Sequence, residues 1–316
     1  MCILFVLCVV TLLLMAGFQA YQNKAKVSCM DYGFHMVITK WDDVVSRDME
    51  IMVKEHCINS FKFFTEYKGA LMVSDDLLLE GLKRCKSLGA LAMVHAENGD
   101  AVVEGQKMIE LVITGLEGHA LSRPLVGHGV GVYFLHLCSF VIVFIEFVTL
   151  SKLYFVFSKR MQASISFPAP VVYLSMFLTS PVYVMSPPIR ASGHAKALQA
   201  ALSTGLLQLV GTDHCVFNST QKGFGIDDFW KIPNGVNGIE ERMHLVWDTM
   251  VEYGQISAND YVPLKGTEWI FNVYPRKGSI LAGSDADIII LNPNSSFEIS
   301  SSSHHSRIYT MLVKFV

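Results

Sequence analysis

Charged residues are scarce in this 316-residue chain: they make up 17%, against roughly 25% in typical soluble domains, while hydrophobic residues make up 51%. Such a composition excludes an intrinsically disordered chain, which carries high charge and little apolar surface. The formal net charge of -3 leaves no basic surplus to neutralise phosphates, which argues against nucleic acid as a partner. The length suits one large domain of about 250 residues with a second, partial module.

Motifs built on cysteine, serine and histidine are also missing. The seven cysteines form no C-x-x-C pair and are spread thinly, so the sequence lacks both a disulfide framework and a structural zinc finger. We predict free thiols, most of them buried. Neither the G-x-S-x-G turn of serine hydrolases nor the H-E-x-x-H helix of zinc peptidases occurs. Gly127, Gly129 and Gly131 fall short of the phosphate-loop pattern G-x-G-x-x-G.

Two long hydrophobic runs stand out from an otherwise ordinary sequence. The first, Cys2 to Phe18, has the hydrophobicity of a signal peptide but lacks a positively charged start, since the first charged residue is Lys24. A signal sequence and a structural segment both stay open. The choice decides the predicted location, which is the secretory system or endoplasmic reticulum with a signal and the cytoplasm without one.

The second run, Val130 to Phe157, is long enough to span a bilayer. It contains His136, Glu146 and Lys152, and insertion of Glu146 near its centre would cost about 2.5 kcal/mol or more. We therefore favour a segment that does not enter a membrane. It is either a buried strand and helix or sequence foreign to the rest of the fold.

Outside these runs, strand and helix patterns alternate. INSFKFF and LAMVHAEN predict strands, because both are short, apolar and rich in β-forming residues. Between them, SDDLLLEGLKRCKSLG predicts a helix with an acidic first turn that ends at Gly89. This β-then-α order predicts a parallel sheet or barrel.

The same order returns in the second half of the chain. The apolar run PVYVMSPPIR precedes the helical HAKALQAALSTG, and LQLVGTDHC predicts a strand that ends in polar residues. The later segment GSILAGSDADIIILNPNSSFEI differs, because it predicts two short strands joined by a Gly-Ser-Asp turn. We interpret it as the edge of a second, all-β module.

In a parallel barrel the active site lies where the strands end, so polar residues that follow apolar runs are candidates. Lys62 is flanked by Phe61, Phe63 and Phe64, and desolvation there would favour a neutral, nucleophilic amine. The alternative is a lysine at a strand edge with its head in water.

Two further candidates end strands. His95 is followed closely by Glu97 and Asn98, which places an imidazole and two polar side chains at the end of a strand. The alternative is a histidine that belongs to the core. Asp213 ends LQLVGTD and could bind a metal or act as a base, or it could cap a turn.

Several segments together point to a known family. In chain order they are INSFKFFTEYKG, ALAMVHAENGD, GLEGHALSRP, YVMSPPIR, LVGTDHC, KIPNGVNGIEERM and YPRKGSILAGSDADIIILNP. They resemble the dihydropyrimidinase family of cyclic amidohydrolases, most closely its plant branch, over residues 15–124 and 182–306. NSFKFF with PNGVNGIEERM favours the dihydropyrimidinase and hydantoinase branch over allantoinase and dihydroorotase.

The resemblance implies an incomplete (β/α)8 TIM barrel with a partial β-sandwich module. Residues 1–18 form the hydrophobic start, 19–270 the barrel with the non-matching segment 125–181, and 271–316 the sandwich module. The implied reaction is the hydrolytic opening of 5,6-dihydrouracil or dihydrothymine to N-carbamoyl-β-amino acids in pyrimidine catabolism, with hydantoins as alternative substrates. A homotetramer is also implied.

The resemblance assigns roles to matching residues. Lys62 matches a lysine that is carbamylated (N6-carboxylysine) and bridges two zinc ions, and His95 matches a ligand of one of them. Asp213 matches a ligand of the other zinc that also shuttles the proton. Tyr67 matches a tyrosine that hydrogen-bonds the developing oxyanion. The main-chain groups of Ser186 and Asn234 match those that hold the pyrimidine ring.

The departures from the family pattern matter as well. The family's H-x-H metal-binding element should precede residue 35, where no histidine other than His35 occurs. Another zinc histidine should follow a strand in the non-matching segment, where His128 and His136 lie in no recognisable motif. Two protein ligands per zinc would then remain, so we expect weak or no metal binding from a truncated or mis-spliced sequence. An inactive scaffold protein is the alternative function.

Overall fold

The computed structural model describes residues 2–6, 14–123, 141–144, 162–166, 181–189, 192–205, 207, 209–261, 271–296, 298–299, 305 and 313–314. The chain divides into two compact units. The first comprises residues 1–103, 126–145 and 154–163, and the second comprises residues 104–125, 146–153 and 164–316. The predicted module boundary at residue 271 stays a prediction.

The first unit is a parallel sheet with helices between its strands, as the alternating patterns predict. Its strands are β1 (Cys2–Val6), β2 (Tyr32–Ile38), β3 (Ser60–Phe64), β4 (Leu91–His95) and β5 (Val141–Phe144), paired in that order. Its helices are α1 (Leu14–Ala25), α2 (Asp43–His56) and α3 (Asp75–Leu88), and α4 (Gly99–Glu110) begins in it. The predicted strands around Lys62 and His95 and the helix between them are confirmed.

Local chemistry sets the ends of these helices. The Asp42 side chain accepts a hydrogen bond from the Val45 amide at 2.8 Å, which satisfies one of the open N–H groups at the start of α2. At the end of α3, Gly89 adopts φ +66°, a left-handed conformation that glycine takes without steric cost. Gly81 of α3 lies against the ring of Phe63, so the helix packs closely on β3.

The register of β2, β3 and β4 decides which side chains share a face. Lys62 pairs with Val37 on one side and Met93 on the other, and Phe64 pairs with His95. Because side chains alternate along a strand, Lys62, Phe64 and His95 lie on one face. Phe61 and Phe63 lie on the opposite face, with Phe63 against α3.

The second unit is built from short elements. Strand β6 (Gln162–Ser166), which begins in the first unit, pairs in parallel with β7 (Leu209–Gly211), and β8 (Glu298–Ile299) and β9 (Val313–Lys314) pair antiparallel. Its helices are α5 (Glu117–Leu121), α6 (Ser192–Ser203), α7 (Ser219–Gly223), α8 (Arg242–Val246) and α9 (Ala258–Tyr261), with a π-helix at Trp247–Glu252 and 3-10 turns at Pro181–Tyr183 and Phe229–Lys231. Val184, Phe229 and Ile232 form a buried core cluster with Ile109 and Leu116.

Two predictions for this unit are confirmed and one fails. The helix at HAKALQAALSTG and the strand that precedes Asp213 are present. The apolar residues 181–189 form a 3-10 turn and an irregular segment. The predicted pair of strands between residues 278 and 299 is wrong, since only β8 (Glu298–Ile299) forms there: Ile288, Ile289 and Ile290 are exposed and lie outside the strands of the described part of the chain. A strand needs a neighbour for its backbone groups, which an apolar pattern alone does not supply.

Within the described residues, no helix is long and apolar enough to cross a membrane. The run from Val130 to Phe157 falls outside the described residues apart from β5. The prediction of mostly buried thiols is wrong for the cysteines whose side chains are described. Cys85 is buried. Cys29, Cys57 and Cys215 are exposed, because they lie in irregular segments and at a helix end.

Candidate functional site

Lys62 lies in the middle of β3 and is 4% exposed. The alternative of a lysine with its head in water is therefore wrong. Its Nζ lies 5.3 Å from the centre of the Phe64 ring, whereas Phe61 and Phe63 point to the other face of the sheet. Of the three neighbouring phenylalanines, only Phe64 shares the face of Lys62, and the buried in-register partners Val37 and Met93 lie on that face as well.

His95 ends β4 between two buried carboxylates. Its Nε2 lies 2.9 Å from Glu97 Oε2 and 3.4 Å from Glu66 Oε2. Burial acts to lower the pKa of His95, but hydrogen bonds to Glu66 and Glu97 outweigh it and raise the pKa to about 9. The two carboxylates therefore favour the protonated form of the ring. The ligand atoms of the three residues all lie within 4.8 Å of one another, so the group could hold a metal ion.

Thr65 fastens the ends of β3 and β4 together. Its hydroxyl donates to the carbonyl oxygens of His95 and Glu97 at 2.9 and 2.6 Å, and its amide donates to the His95 carbonyl at 3.1 Å. The Thr65 carbonyl accepts from the amide of Gly99. These bonds fix the backbone on both sides of Glu66 and Glu97.

Tyr67 follows Glu66 and faces the same imidazole. Its ring centre lies 5.7 Å from that of His95 and 5.6 Å from that of Phe64. Its φ is +62°, a left-handed conformation that is uncommon for a residue with a side chain. The Tyr67 carbonyl accepts hydrogen bonds from the next turn of chain, which hold this conformation.

The second unit brings three polar turns together. Asp213 lies just after β7 and adopts φ +44°, so both Asp213 and Tyr67 have left-handed backbone. The amide of Cys215 donates to the Val236 carbonyl at 2.9 Å. His214 Nδ1 accepts from the amides of Gly238 and Ile239 at 3.2 and 3.3 Å. The turn at Asp213 is thereby joined to the segment after Asn234.

Ser186 and Asn234 lie on adjacent turns. The amide of Gly235 donates to the Val184 carbonyl at 3.0 Å, and Ser186 is followed by a cis proline. Ser186 Oγ and Asn234 Oδ1 are both buried and have no hydrogen-bond partner within the described part of the chain. Buried polar atoms in proteins are nearly always paired, so two such oxygens on neighbouring turns are suited to a polar ligand.

No protein-family model matches the chain. It is 64% identical to dihydropyrimidinase of Arabidopsis thaliana over 311 residues, a match that covers 93% of this chain and 59% of the relative. The chain thus spans about three fifths of the length of the curated relative that it matches.

Comparison with solved structures shows that the similarity extends to the fold. Dihydropyrimidinase of Brevibacillus agri matches with a TM-score of 0.86 and 31% identity over 99% of this chain and 73% of that chain. A D-hydantoinase matches with a TM-score of 0.88, 31% identity and the same coverage. The chain belongs to the dihydropyrimidinase and hydantoinase family. Its fold is the incomplete amidohydrolase (β/α)8 barrel that the sequence predicted.

In this dihydropyrimidinase-family chain the six predicted site residues form two groups. Lys62, Tyr67 and His95 lie on and beside one face of the sheet of the first unit, and Asp213, Ser186 and Asn234 lie on joined turns of the second. The roles assigned to these residues stay predictions. His128 and His136 lie outside the described residues.

Sequence reasoning missed Glu66 and did not assign a role to Glu97. The signal was present, since Glu66 follows β3 by two residues and Glu97 follows β4 by two. In a parallel sheet the residues that follow neighbouring strands lie side by side, so equal offsets predict that they meet.

Proposed function

We propose that this chain is a cyclic amide hydrolase of the dihydropyrimidinase type whose activity is impaired, because several of the family's metal ligands are missing from its sequence. Its substrates are 5,6-dihydrouracil and dihydrothymine, whose rings open to N-carbamoyl-β-amino acids. The observation that carries the proposal is the pair of buried oxygens, Ser186 Oγ and Asn234 Oδ1, on turns held together by the bond from Gly235 to Val184. A cyclic imide presents alternating N–H and C=O groups, which such turns can pair.

The metal of the proposed reaction is zinc. The residues fit it, because His95 and the carboxylates Glu66 and Glu97 are nitrogen and oxygen donors of the kind that zinc binds. When bound, zinc supplies a Lewis acid and lowers the pKa of a bound water. We propose that Lys62, carbamylated, and Asp213 also serve as ligands, as the family resemblance implies.

Other side chains of the chain stabilise charge, transfer a proton and orient the ring. Tyr67 directs its ring beside His95, where its hydroxyl can donate to an oxygen that gains charge. Asp213 carries a proton towards the leaving amide nitrogen. Ser186 and Asn234 orient the ring. The homotetramer and both alternatives for location stay predictions.

Ligand binding and turnover test the proposal separately. We expect dihydrouracil to bind the purified chain in calorimetry, and Asn234→Ala with Ser186→Ala to weaken binding at least tenfold, the value of one or two hydrogen bonds. Asn294→Ala, an exposed asparagine, is the matched control. Turnover is measured as the loss of far-ultraviolet absorbance, and it should disappear in Lys62→Ala. A folded, zinc-loaded chain that binds no dihydropyrimidine would refute the proposal and favour an inactive scaffold.

A further inference from the structure

Lys222 is a lysine whose amine is buried inside the second unit. The residue is 2% exposed, and its Nζ donates to the carbonyl oxygens of Val184 and Pro233, both at 2.7 Å. That length is typical of a hydrogen bond from a charged donor. A lysine is almost never buried this deeply unless it is paired, and no step of the proposed reaction uses this one.

The start of helix α7 fixes the position of this lysine. Asn218 Oδ1 accepts a hydrogen bond from the Gln221 amide at 2.8 Å, and Gln221 Oε1 accepts one from the Asn218 amide at 2.9 Å. This reciprocal pair is a capping box, which anchors the first turn of a helix. Lys222 follows Gln221 directly, and its own amide donates to the Asn218 carbonyl at 3.0 Å, so the same turn holds its backbone.

The two carbonyls that Lys222 binds belong to different turns. Val184 precedes Ser186 by two residues, and Pro233 directly precedes Asn234. Ser186 Oγ and Asn234 Oδ1 are among the buried oxygens that have no hydrogen-bond partner within the described residues. One buried amine therefore bridges the two segments whose polar groups are proposed to hold the ring.

The Val184 carbonyl is the centre of this connection. It accepts from Lys222 Nζ and also from the Gly235 amide at 3.0 Å. A carbonyl oxygen has two lone pairs, so it can accept both bonds at once. The bond from Gly235 joins the two turns at one point, and Lys222 adds a second link that ends at Pro233. Two links fix both the spacing of the turns and their relative rotation, which one link cannot do.

Each turn is also tied separately to the rest of the second unit. The Met185 carbonyl accepts from His119 Nε2 at 2.8 Å, and the Val236 carbonyl accepts from the Cys215 amide at 2.9 Å. Gly235 has φ +153°, and a Cβ there would lie 2.4 Å from the Cys215 carbonyl, so this position requires glycine. The outer side of each turn is thus anchored without Lys222, and what the lysine adds is the link between them.

We propose that Lys222 is a positioning residue for the substrate, which holds the turns of Ser186 and Asn234 at the spacing that the pyrimidine ring requires. This role rests on the proposed function, because the ring is the ligand that the two turns share. Lys222 acts through the carbonyls of Val184 and Pro233 rather than by contact with the ring. Its hydrogen-bond donors matter more than its volume, so arginine should replace it better than an apolar side chain of similar length.

Calorimetric binding of dihydrouracil to the full chain tests this role. Lys222→Met keeps the length of the side chain and removes its donors, and it should weaken binding by about tenfold, the effect of one or two lost hydrogen bonds. Lys222→Arg keeps the cation and its donors, and its affinity should stay within about threefold of that of the unchanged chain. Lys196→Met, at an exposed lysine of α6, is the matched control and should bind normally.

Hydrogen exchange gives a second readout that needs no ligand. The Gly235 amide donates to the Val184 carbonyl, so its exchange reports whether the two turns stay joined. We expect faster exchange of this amide in Lys222→Met and not in Lys222→Arg, with the amides of α6 unchanged in both. A lysine that merely stabilised the fold would instead speed exchange throughout the second unit.

Unchanged dihydrouracil binding in Lys222→Met would overturn the positioning role alone and leave the proposed function standing. Normal binding in Lys222→Met with loss in Lys222→Arg would also overturn it, because the lysine would then only fill space. An unchanged chain that binds no dihydrouracil would refute the proposed function and this role with it. If Lys222→Met does not fold, as judged by circular dichroism, Lys222→Gln takes its place. Its shorter side chain cannot reach both carbonyls, so retained binding in that variant would overturn the proposal.

Discussion

Lys222, in the short helix α7, is a buried cation that connects the two turns proposed to bind the ring. Its Nζ donates to the carbonyl oxygens of Val184 and Pro233, both at 2.7 Å. These residues precede Ser186 and Asn234 by two positions and one. A polar residue in a helical pattern is usually predicted to face water, so only the fold reveals that this lysine supports the turns.

The environment of Lys222 makes stability depend on pH in a predictable direction. Burial lowers its pKa to about 8 from an ordinary 10.5, with an opposing contribution from Cys215. Between pH 8 and 10.5 the unfolded chain holds the proton and the folded chain does not, so stability rises with pH across this window. In Lys222→Met we expect this gain, at most about 3 kcal/mol, to disappear.

Urea unfolding of both proteins at pH 7.5, 9 and 10.5 measures the effect. The difference in unfolding free energy between the native chain and Lys222→Met cancels the titration of other groups. Lys83→Met, an exposed lysine on α3, is the control and should leave the pH dependence unchanged. A constant difference across the window would contradict the buried-lysine argument.

Among the helices and strands, sequence patterns predicted those whose position and ends depend on local residues. β3, α3 and β4 follow from apolar runs, an acidic first turn and a terminal glycine, all readable along the chain. Lys62 and His95 were found because each lies in or ends such a run. Glu66 was missed because its partner comes from the next strand, and register is a property of pairing rather than of local sequence.

Helix caps offer a matched pair for testing this local chemistry. Asp42 caps α2 through a 2.8 Å bond from the Val45 amide, whereas Ser74 at the start of α3 makes no side-chain bond of this kind. We expect Asp42→Ala to lower the unfolding free energy by about 1 kcal/mol and Ser74→Ala to lower it by much less. Denaturant unfolding of both variants measures the difference, and equal losses would contradict the capping argument.

At the scale of the whole molecule, the chain retains much of its relatives' structure but spans about three fifths of the length of the curated relative that it matches. Its fold was predictable because several long motifs survive in order. The structure of the segment after residue 278 was not predictable, because the apolar pattern that predicted strands does not show which residues would cover them. In the structure Ile288, Ile289 and Ile290 remain exposed, the last of them 93%.

Three consecutive exposed isoleucines form an apolar patch that favours self-association. We expect Ile290→Lys to reduce association in sedimentation velocity and light scattering, with the monomer fraction rising severalfold. Val27→Lys is the matched control, because Val27 is 91% exposed but stands alone between Lys26 and Ser28. If both substitutions had the same effect, added charge alone would explain it, and the patch would have no part in association. An effect confined to Ile290→Lys would place the contact on the segment that the apolar pattern mistook for a paired strand.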